Sequence, residues 1–244
     1  MTRNIYDEDD FFKGYIQLPR QVIGLSGSPE WPDLRAMIPG LKGAKLLDLG
    51  CGFGWVCRWA REQGAEEAKG VDLSENMLAK ATEFPQDDAI SYTRANLETL
   101  ELSPSTYQVV FSSLAFHYLE NLPGLVAQVY RSLTPGGTLV FAVEHPIFTA
   151  PRTPDFIEDA EGRVIWPLDG YLREGPRVTS WFTDGVVKQH RTISTYITIL
   201  LEAGFVLSAI NEWGPNEEQI KEFPEWARIR ERPPFLLVKA TKPL

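Results

Sequence analysis

Cysteine is scarce in this chain: of 244 residues only Cys51 and Cys57 are cysteine. That count excludes a disulfide framework and a four-cysteine zinc site. Nothing near either residue marks a base, so both read as small buried side chains rather than nucleophiles. Histidine is nearly as scarce, with three in all. No His/Cys/Asp/Glu spacing suggests a metal site, and no metal is expected. Basic runs never exceed two residues, and the formal net charge is −9. A nucleic-acid binder relies on Lys and Arg to neutralise phosphates, so no nucleic-acid partner is expected. The acidic balance also disfavours anionic lipid. No apolar run approaches the roughly 20 residues that span a bilayer. The opening MTRNIYDEDDFF is polar and acidic and lacks the apolar core of a signal peptide. The expectation is a cytoplasmic protein with no membrane partner, as a monomer or homodimer.

Hydrophobic residues make up 43% and charged residues 23%, near the globular average, which argues against disorder. A chain of this length can bury roughly 70–75% of its unfolded surface, enough for one core without staples. We therefore expect a single domain over 1–244. Residues 1–43 read as an N-terminal helical cap. Phe11, Phe12 and Tyr15 in it either pack on the body or form a lid over a ligand. A helix runs through Trp31–Met37, with Pro32 suited to its first turn and Gly40 to its end. From 44 onward strands and helices alternate. Strands are expected at Ala44–Leu49, Ala68–Leu73, Ile90–Arg94, Tyr107–Ser113 and Thr138–Val143. Helices are expected over 54–63, with Trp55, Trp59 and Ala60 on one side, from Ser74 as N-cap, and over Leu125–Leu133. Residues 146–190 break the rhythm and read as an insertion covering the ligand face. A helix over Ile193–Ala203, ended by Gly204, and strands at Phe205–Asn211 and Leu236–Ala240 complete the chain. This pattern predicts an α/β fold with a mostly parallel, doubly wound, Rossmann-like sheet and right-handed crossovers.

The strongest local signal is Leu46-Leu-Asp-Leu-Gly-Cys-Gly-Phe-Gly54, which follows a strand and opens a helix. Glycine lets a backbone turn tightly and approach a ligand closely. A helix N-terminus adds free N–H groups. Ligands in open parallel sheets bind outside the carboxyl ends of the strands, where this loop lies. A dinucleotide fingerprint would be G-x-G-x-x-G. Here the glycines are 50, 52 and 54, position 55 is Trp, and the fingerprint's third glycine is missing. Asp72 follows 22 residues after Gly50, ending the second strand in Gly70-Val-Asp-Leu-Ser74. A carboxylate there can accept from both ribose hydroxyls of an adenosine.

Together with Val71-Asp-Leu-Ser-Glu-Asn-Met-Leu78 and Leu133-Thr-Pro-Gly-Gly137, these residues resemble the seven-stranded (class I) S-adenosylmethionine-dependent methyltransferases, of the bacterial small-molecule type. The resemblance runs from about Leu46 to Glu144 and more loosely to the last strand. It implies a seven-stranded sheet of order 3-2-1-4-5-7-6 with an antiparallel last strand. It implies S-adenosyl-L-methionine as cofactor and S-adenosyl-L-homocysteine as product. By the resemblance Gly50, Cys51 and Gly52 line the methionine part, Asp72 holds the ribose, and Leu73 and Met77 flank the adenine. Asp48, Gly54, Asn96, Leu97, Glu98 and Ser113 are placed with the cofactor as well. The family often has Asp where this chain has Asn96, whose carbonyl can still accept from the adenine amino group. Its usual Phe-Asp before strand four is Tyr107-Gln108 here.

Methyl transfer is an in-line displacement, so the protein must chiefly orient an acceptor and exclude water. A hydroxyl or ammonium acceptor also needs a base, a role histidine fills near neutrality. His117 and His145 follow strands four and five, and one of them is expected to be that base, with Glu144 as orienter or alternate base. His190 precedes a helix and is either a capping group or part of the substrate site. Tyr118, Tyr171, Arg177 and Trp181, with Trp166, either wall an acceptor pocket or form the insertion's own small core. A small-molecule acceptor methylated on oxygen or nitrogen is expected. Two alternatives stay open: a non-catalytic S-adenosylmethionine binder and, against the glycine spacing, an NAD(P)-dependent oxidoreductase.

Overall fold

The computed structural model describes residues 4–85 and 87–244. The N-terminal segment folds as a 3-10 turn Ile5–Asp7 and helices α1 Asp9–Tyr15, α2 Pro19–Val22 and α3 Trp31–Met37. Helix α3 stops before Gly40, because Ile38 precedes Pro39 and is driven into extended backbone. Then follow β1 Lys45–Leu49, α4 Trp55–Glu62, β2 Glu67–Asp72, α5 Glu75–Thr82, β3 Ile90–Arg94, β4 Tyr107–Ser113, α6 Leu122–Ser132 and β5 Leu133–Glu144. The insertion holds α7 Pro146–Thr149, β6 Ile157–Glu158, β7 Val164–Ile165, β8 Gly175–Trp181 and β9 Thr183–His190. The chain closes with α8 Ile193–Glu202, β10 Val206–Trp213, α9 Glu217–Glu222, a 3-10 stretch Pro224–Glu231 and β11 Phe235–Thr241.

The central sheet has the order β10-β11-β5-β4-β1-β2-β3. All its neighbours pair in parallel except β11, which runs antiparallel to both β10 and β5. With β10 and β11 as the sixth and seventh strands in sequence, this is the order 3-2-1-4-5-7-6. Side-chain alternation along the strands divides the core into two layers. Leu47, Leu49, Phe141 and Val238 face one side, packed with α6 and α8. Leu46, Val140, Ala142 and Leu237 face the other, packed with α3 and α4.

Local chemistry explains most boundaries. Ser74 caps α5, its Oγ accepting the Met77 N–H at 3.1 Å. Helix α6 begins at Leu122, three residues before the expected Leu125. Asn121 caps the Gly124 N–H at 3.1 Å, and Pro123 is tolerated in a first turn, where no donor is needed. Leu122, Leu125, Val126 and Val129 form the buried stripe of α6 at helical spacing. Helix α4 buries Val56, Cys57 and Ala60 rather than a face centred on the tryptophans. Trp59 instead packs edge-on against Trp31 and Trp55 against Phe84, both only half-buried.

The insertion is built of hairpins: β6 pairs β7, and β8 pairs β9, both antiparallel. Polar Thr and Ser within β8 hide its alternation. Residues 214–234, including α9, had no expected element. Their helix is opened by a reciprocal capping box between Asn216 and Gln219. No helix among the described residues is long and apolar enough to cross a membrane.

Candidate active site

A cavity of about 370 Å³ lies at the carboxyl edge of the sheet. Its floor is the loop after β1, where Gly50 and Gly52 line it beside Asp72 at the end of β2. Gly52 has φ +51°, and a Cβ there would project into open space, so the backbone itself faces the cavity. Gly54 serves a different end. It has φ +70°, and a Cβ would fall 2.1 Å from the Tyr92 hydroxyl oxygen. Its missing side chain lets α4 start against β3, so Gly54 itself does not line the cavity.

Asp72 is fixed by two backbone donors. Its Oδ2 accepts from Gly52 N–H at 2.8 Å and its Oδ1 from Ser74 N–H at 2.9 Å. Burial pushes its carboxyl above the usual carboxylate range, and these two bonds oppose that shift. Each oxygen keeps a further lone pair for a ligand hydroxyl. Asp48 is buried beneath the loop, with the Cys57 thiol 4.0 Å away. Burial, aided by the Asp72 charge, raises its carboxyl to about 8. Cys51 and Cys57 are free and buried, and burial raises both thiols well above the normal range.

One wall is made by Leu73, Met77, Asn96, Leu97 and Glu98. The Asn96 Oδ1 accepts from the Glu98 N–H at 3.0 Å, and the Glu98 carboxylate accepts from the N–H groups of Glu120 and Asn121 at 2.6 and 2.9 Å. Ser113, Leu114 and Ala115 form the end of β4 and the turn beyond it. Leu114 holds φ +57°, a strained setting for a branched side chain, at the cavity edge.

The roof comes from two distant segments. Asn4, Ile5, Tyr6 and Tyr15 descend from the N-terminus, and Gly185, Val187 and Gln189 from β9. Tyr118 meets them, its hydroxyl 3.2 Å from that of Tyr6. Burial raises both phenols far above their ordinary value, so both remain protonated. Asp7 clamps the N-terminal segment onto α5: its carboxylate accepts from Ser74 Oγ and from the Asn76 N–H at 3.2 Å.

The sequence-expected residues thus divide. Gly50, Gly52, Asp72, Leu73, Met77, Asn96, Leu97, Glu98, Ser113 and Tyr118 come together around the cavity, whereas Asp48, Cys51 and Gly54 lie behind it. None of the three histidines lines it. His117 Nδ1 accepts the Glu144 N–H at 3.3 Å, and burial lowers the ring to about 4. His145 Nδ1 caps the Ile147 N–H at 3.0 Å and its Nε2 meets Glu212 at 2.9 Å. His190 Nε2 donates to the Tyr171 carbonyl at 2.8 Å, so Nδ1 accepts from Thr149. Burial lowers His145 and His190 as well. Glu144 is paired with Lys188 at 2.5 Å, both largely buried.

The insertion residues are similarly engaged. Arg177 donates to the carbonyls of Ala150 and Arg173 at 3.1 and 2.5 Å. Trp166 donates to Ile147 O at 3.0 Å, and the Tyr171 hydroxyl accepts from Ile193 N–H. Trp181 packs edge-on against Phe11 and Tyr15, one layer behind the cavity. Sequence reasoning missed Tyr6, Gln189 and the Leu119–Glu120 rim. For Tyr6 the only signal was an aromatic beside the Phe11–Tyr15 cluster.

Residues 47–141 match a family described as "Methyltransferase domain". A solved S-adenosylmethionine-dependent methyltransferase from Mesorhizobium loti is 49% identical, with a TM-score of 0.87 over 90% of this chain and 100% of that one. An uncharacterized protein of Haemophilus influenzae is 36% identical over 98% of this chain and 97% of its own length. A malonyl-[acyl-carrier protein] O-methyltransferase of Enterobacter lignolyticus is 38% identical, over only 44% of this chain and 42% of that protein. The edge cavity with its glycine floor and buried acid, set beside a solved relative that aligns over its whole length, leads to one assignment: the chain belongs to the S-adenosylmethionine-dependent methyltransferases.

Proposed function

We propose that this protein transfers a methyl group from S-adenosylmethionine to a small-molecule acceptor through an oxygen or nitrogen nucleophile. One observation carries the reading: the edge cavity is roofed by Tyr6 and Tyr15 on one side and β9 on the other. Its volume lies in the range of small-molecule sites. The residues fit the donor. Gly52 presents bare backbone, and Asp72 keeps acceptor capacity for a ribose diol. Leu73, Met77 and Leu97 offer an apolar slot for the adenine, with Asn96 at its polar edge. When bound, the donor supplies a methyl group already activated on a sulfonium.

The chain's own task is then orientation and exclusion of water, worth up to about 7–11 kcal/mol of the barrier. Tyr118, Gln189 and Tyr15 are the acceptor-side groups in this reading, and the hairpin of β8 and β9 covers them. Glu144 and His117 act one layer back: Glu144 anchors Lys188 and its N–H fixes the His117 ring. Titration with S-adenosylhomocysteine and, in parallel, NADH tests the cofactor. Incubation with isotope-labelled donor and a cell metabolite extract then tests the transfer. Binding of the first ligand alone, with label in low-mass products, supports the reading. Label confined to protein would move the acceptor to a protein-borne group. Donor binding with no label anywhere would make the chain a binder.

A further inference from the structure

Three independent features of the cavity narrow the acceptor, given the transfer reading above. The first is charge. Asp72, Glu98 and Glu120 line the cavity, and among the described residues no Lys, Arg or His does. Cations bonded to groups around the cavity are committed: Arg94 donates to the Leu73 carbonyl and pairs with Glu75. Lys188 is bound to Glu144, and Arg191 donates to the carbonyls of Leu119 and Glu120. An anionic acceptor such as a carboxylate would enter beside Glu98 and Glu120 with no cationic side chain among the described lining residues to hold it.

The second is the absence of a free imidazole or phenolate at the cavity. A neutral imidazole has one lone pair, on the nitrogen that lacks hydrogen. In all three histidines that lone pair is Nδ1, and each Nδ1 already accepts from a neighbour: Glu144 N–H, Ile147 N–H or the Thr149 hydroxyl. The three phenols in the cavity, Tyr6, Tyr15 and Tyr118, are held protonated by burial, and Tyr6 donates to Tyr118. A carboxylate is a far weaker base than an amine or alkoxide. A hydroxyl acceptor therefore has no strong base to take its proton.

The third is shape. The Tyr6 ring stands at 84° to Tyr15 with centroids 5.0 Å apart, and at 85° to Tyr118 with centroids 6.1 Å apart. Tyr6 thus stands perpendicular to both neighbours at the roof. Ring faces attract cations, and a desolvated aromatic cage is a recurrent way to hold an alkylammonium group.

We propose that the acceptor is a nitrogen base that is uncharged at neutral pH, such as an aromatic heterocycle or weakly basic tertiary amine, and that Tyr6, Tyr15 and Tyr118 with Glu120 hold the onium it becomes. The nitrogen lone pair forms the N–CH₃ bond while the C–S bond breaks, and that bonding pair returns to sulfur as a neutral thioether. Positive charge passes from sulfur to nitrogen and no proton moves. Such an acceptor needs neither the base nor the cationic anchor that the cavity lacks.

The test uses the full chain saturated with S-adenosylhomocysteine. Failure of that ligand to bind would remove the transfer reading and this proposal together. With it bound, calorimetry compares three matched probes: benzyltrimethylammonium, benzoate and benzyl alcohol. The cation is expected to bind at least tenfold tighter than either of the others. Its advantage should fall at least threefold in Tyr15→Leu or, should that variant lose S-adenosylhomocysteine binding, in Glu120→Gln. Equal or inverted affinities would overturn the proposal while leaving the transfer reading intact. So would a preference unchanged in the folded variant. Displacement of S-adenosylhomocysteine by the cation would also overturn it, assigning the cage to the donor's own sulfonium.

Discussion

Asp48 offers a quantitative check on the electrostatics beneath the glycine loop. The carboxyl is fully buried, the Cys57 thiol is its neighbour, and Asp72 adds a second negative charge nearby. Folding thereby raises its pKa from the ordinary ~3.9 of an aspartate to about 8. Between those values the native chain holds a proton that the unfolded chain has released. The Asp48 contribution to stability must therefore fall as pH rises from about 4 to 8, by ~1.4 kcal/mol per unit, and level off above. By pH 7 the accumulated penalty is ~4 kcal/mol, an upper figure because water penetration relaxes buried charges. Asp48→Asn removes the titration while keeping the shape. Urea unfolding followed by tryptophan fluorescence at pH 5, 6, 7 and 8 would read the difference between the two proteins. Groups that do not couple to Asp48 titrate alike in both and cancel from the difference. The gap should widen in favour of the variant with each pH unit. A gap constant to within ~0.5 kcal/mol would refute a neutral Asp48 and mean that it is ionised and solvated in the native state.

Other perturbations read the cavity itself. Asp72→Ala removes two charge-assisted backbone bonds and the proposed ribose acceptor, so calorimetry should show S-adenosylhomocysteine affinity weakened by roughly 10²-fold or more. Gly54→Ala places a Cβ 2.1 Å from the Tyr92 hydroxyl at φ +70°. It should lose ~2 kcal/mol or more in chemical denaturation, little of it recovered in a Gly54→Ala/Tyr92→Phe double variant, because the ring carbons at 2.6 Å and the left-handed backbone remain. Asp7→Ala removes the clamp on α5. It should speed proteolysis within residues 4–15 and raise the off-rate of S-adenosylhomocysteine by up to about tenfold, measured by stopped-flow.

The class of fold was legible in the sequence because its signals are local. A short apolar run bounded by glycines placed β1 to within a residue, and the alternation of strands with helices placed β3 and β4 at their observed bounds. The β8–β9 hairpin was hidden because its pairing partner, not its own alternation, makes it a strand. The same division runs through the site. Gly50, Gly52 and Asp72 announced themselves because turn geometry and ligand approach constrain residue type within some twenty positions of chain. Tyr6 and Gln189 carried no such mark, for they reach the cavity from segments nearly two hundred residues apart.

The histidines show where sequence stops. Position at a strand end made His117 and His145 candidates for a base. Only the tertiary structure decides which nitrogen bears the proton, because that depends on which neighbour donates to Nδ1. The sequence by itself determined the sheet, the glycine loop and the acid that follows it, since these rest on backbone conformation and short-range periodicity. Tertiary structure decided which side chains reach the cavity and which of their lone pairs are already taken. Burial and hydrogen bonding between distant segments set both, and neither is encoded in any local stretch of chain.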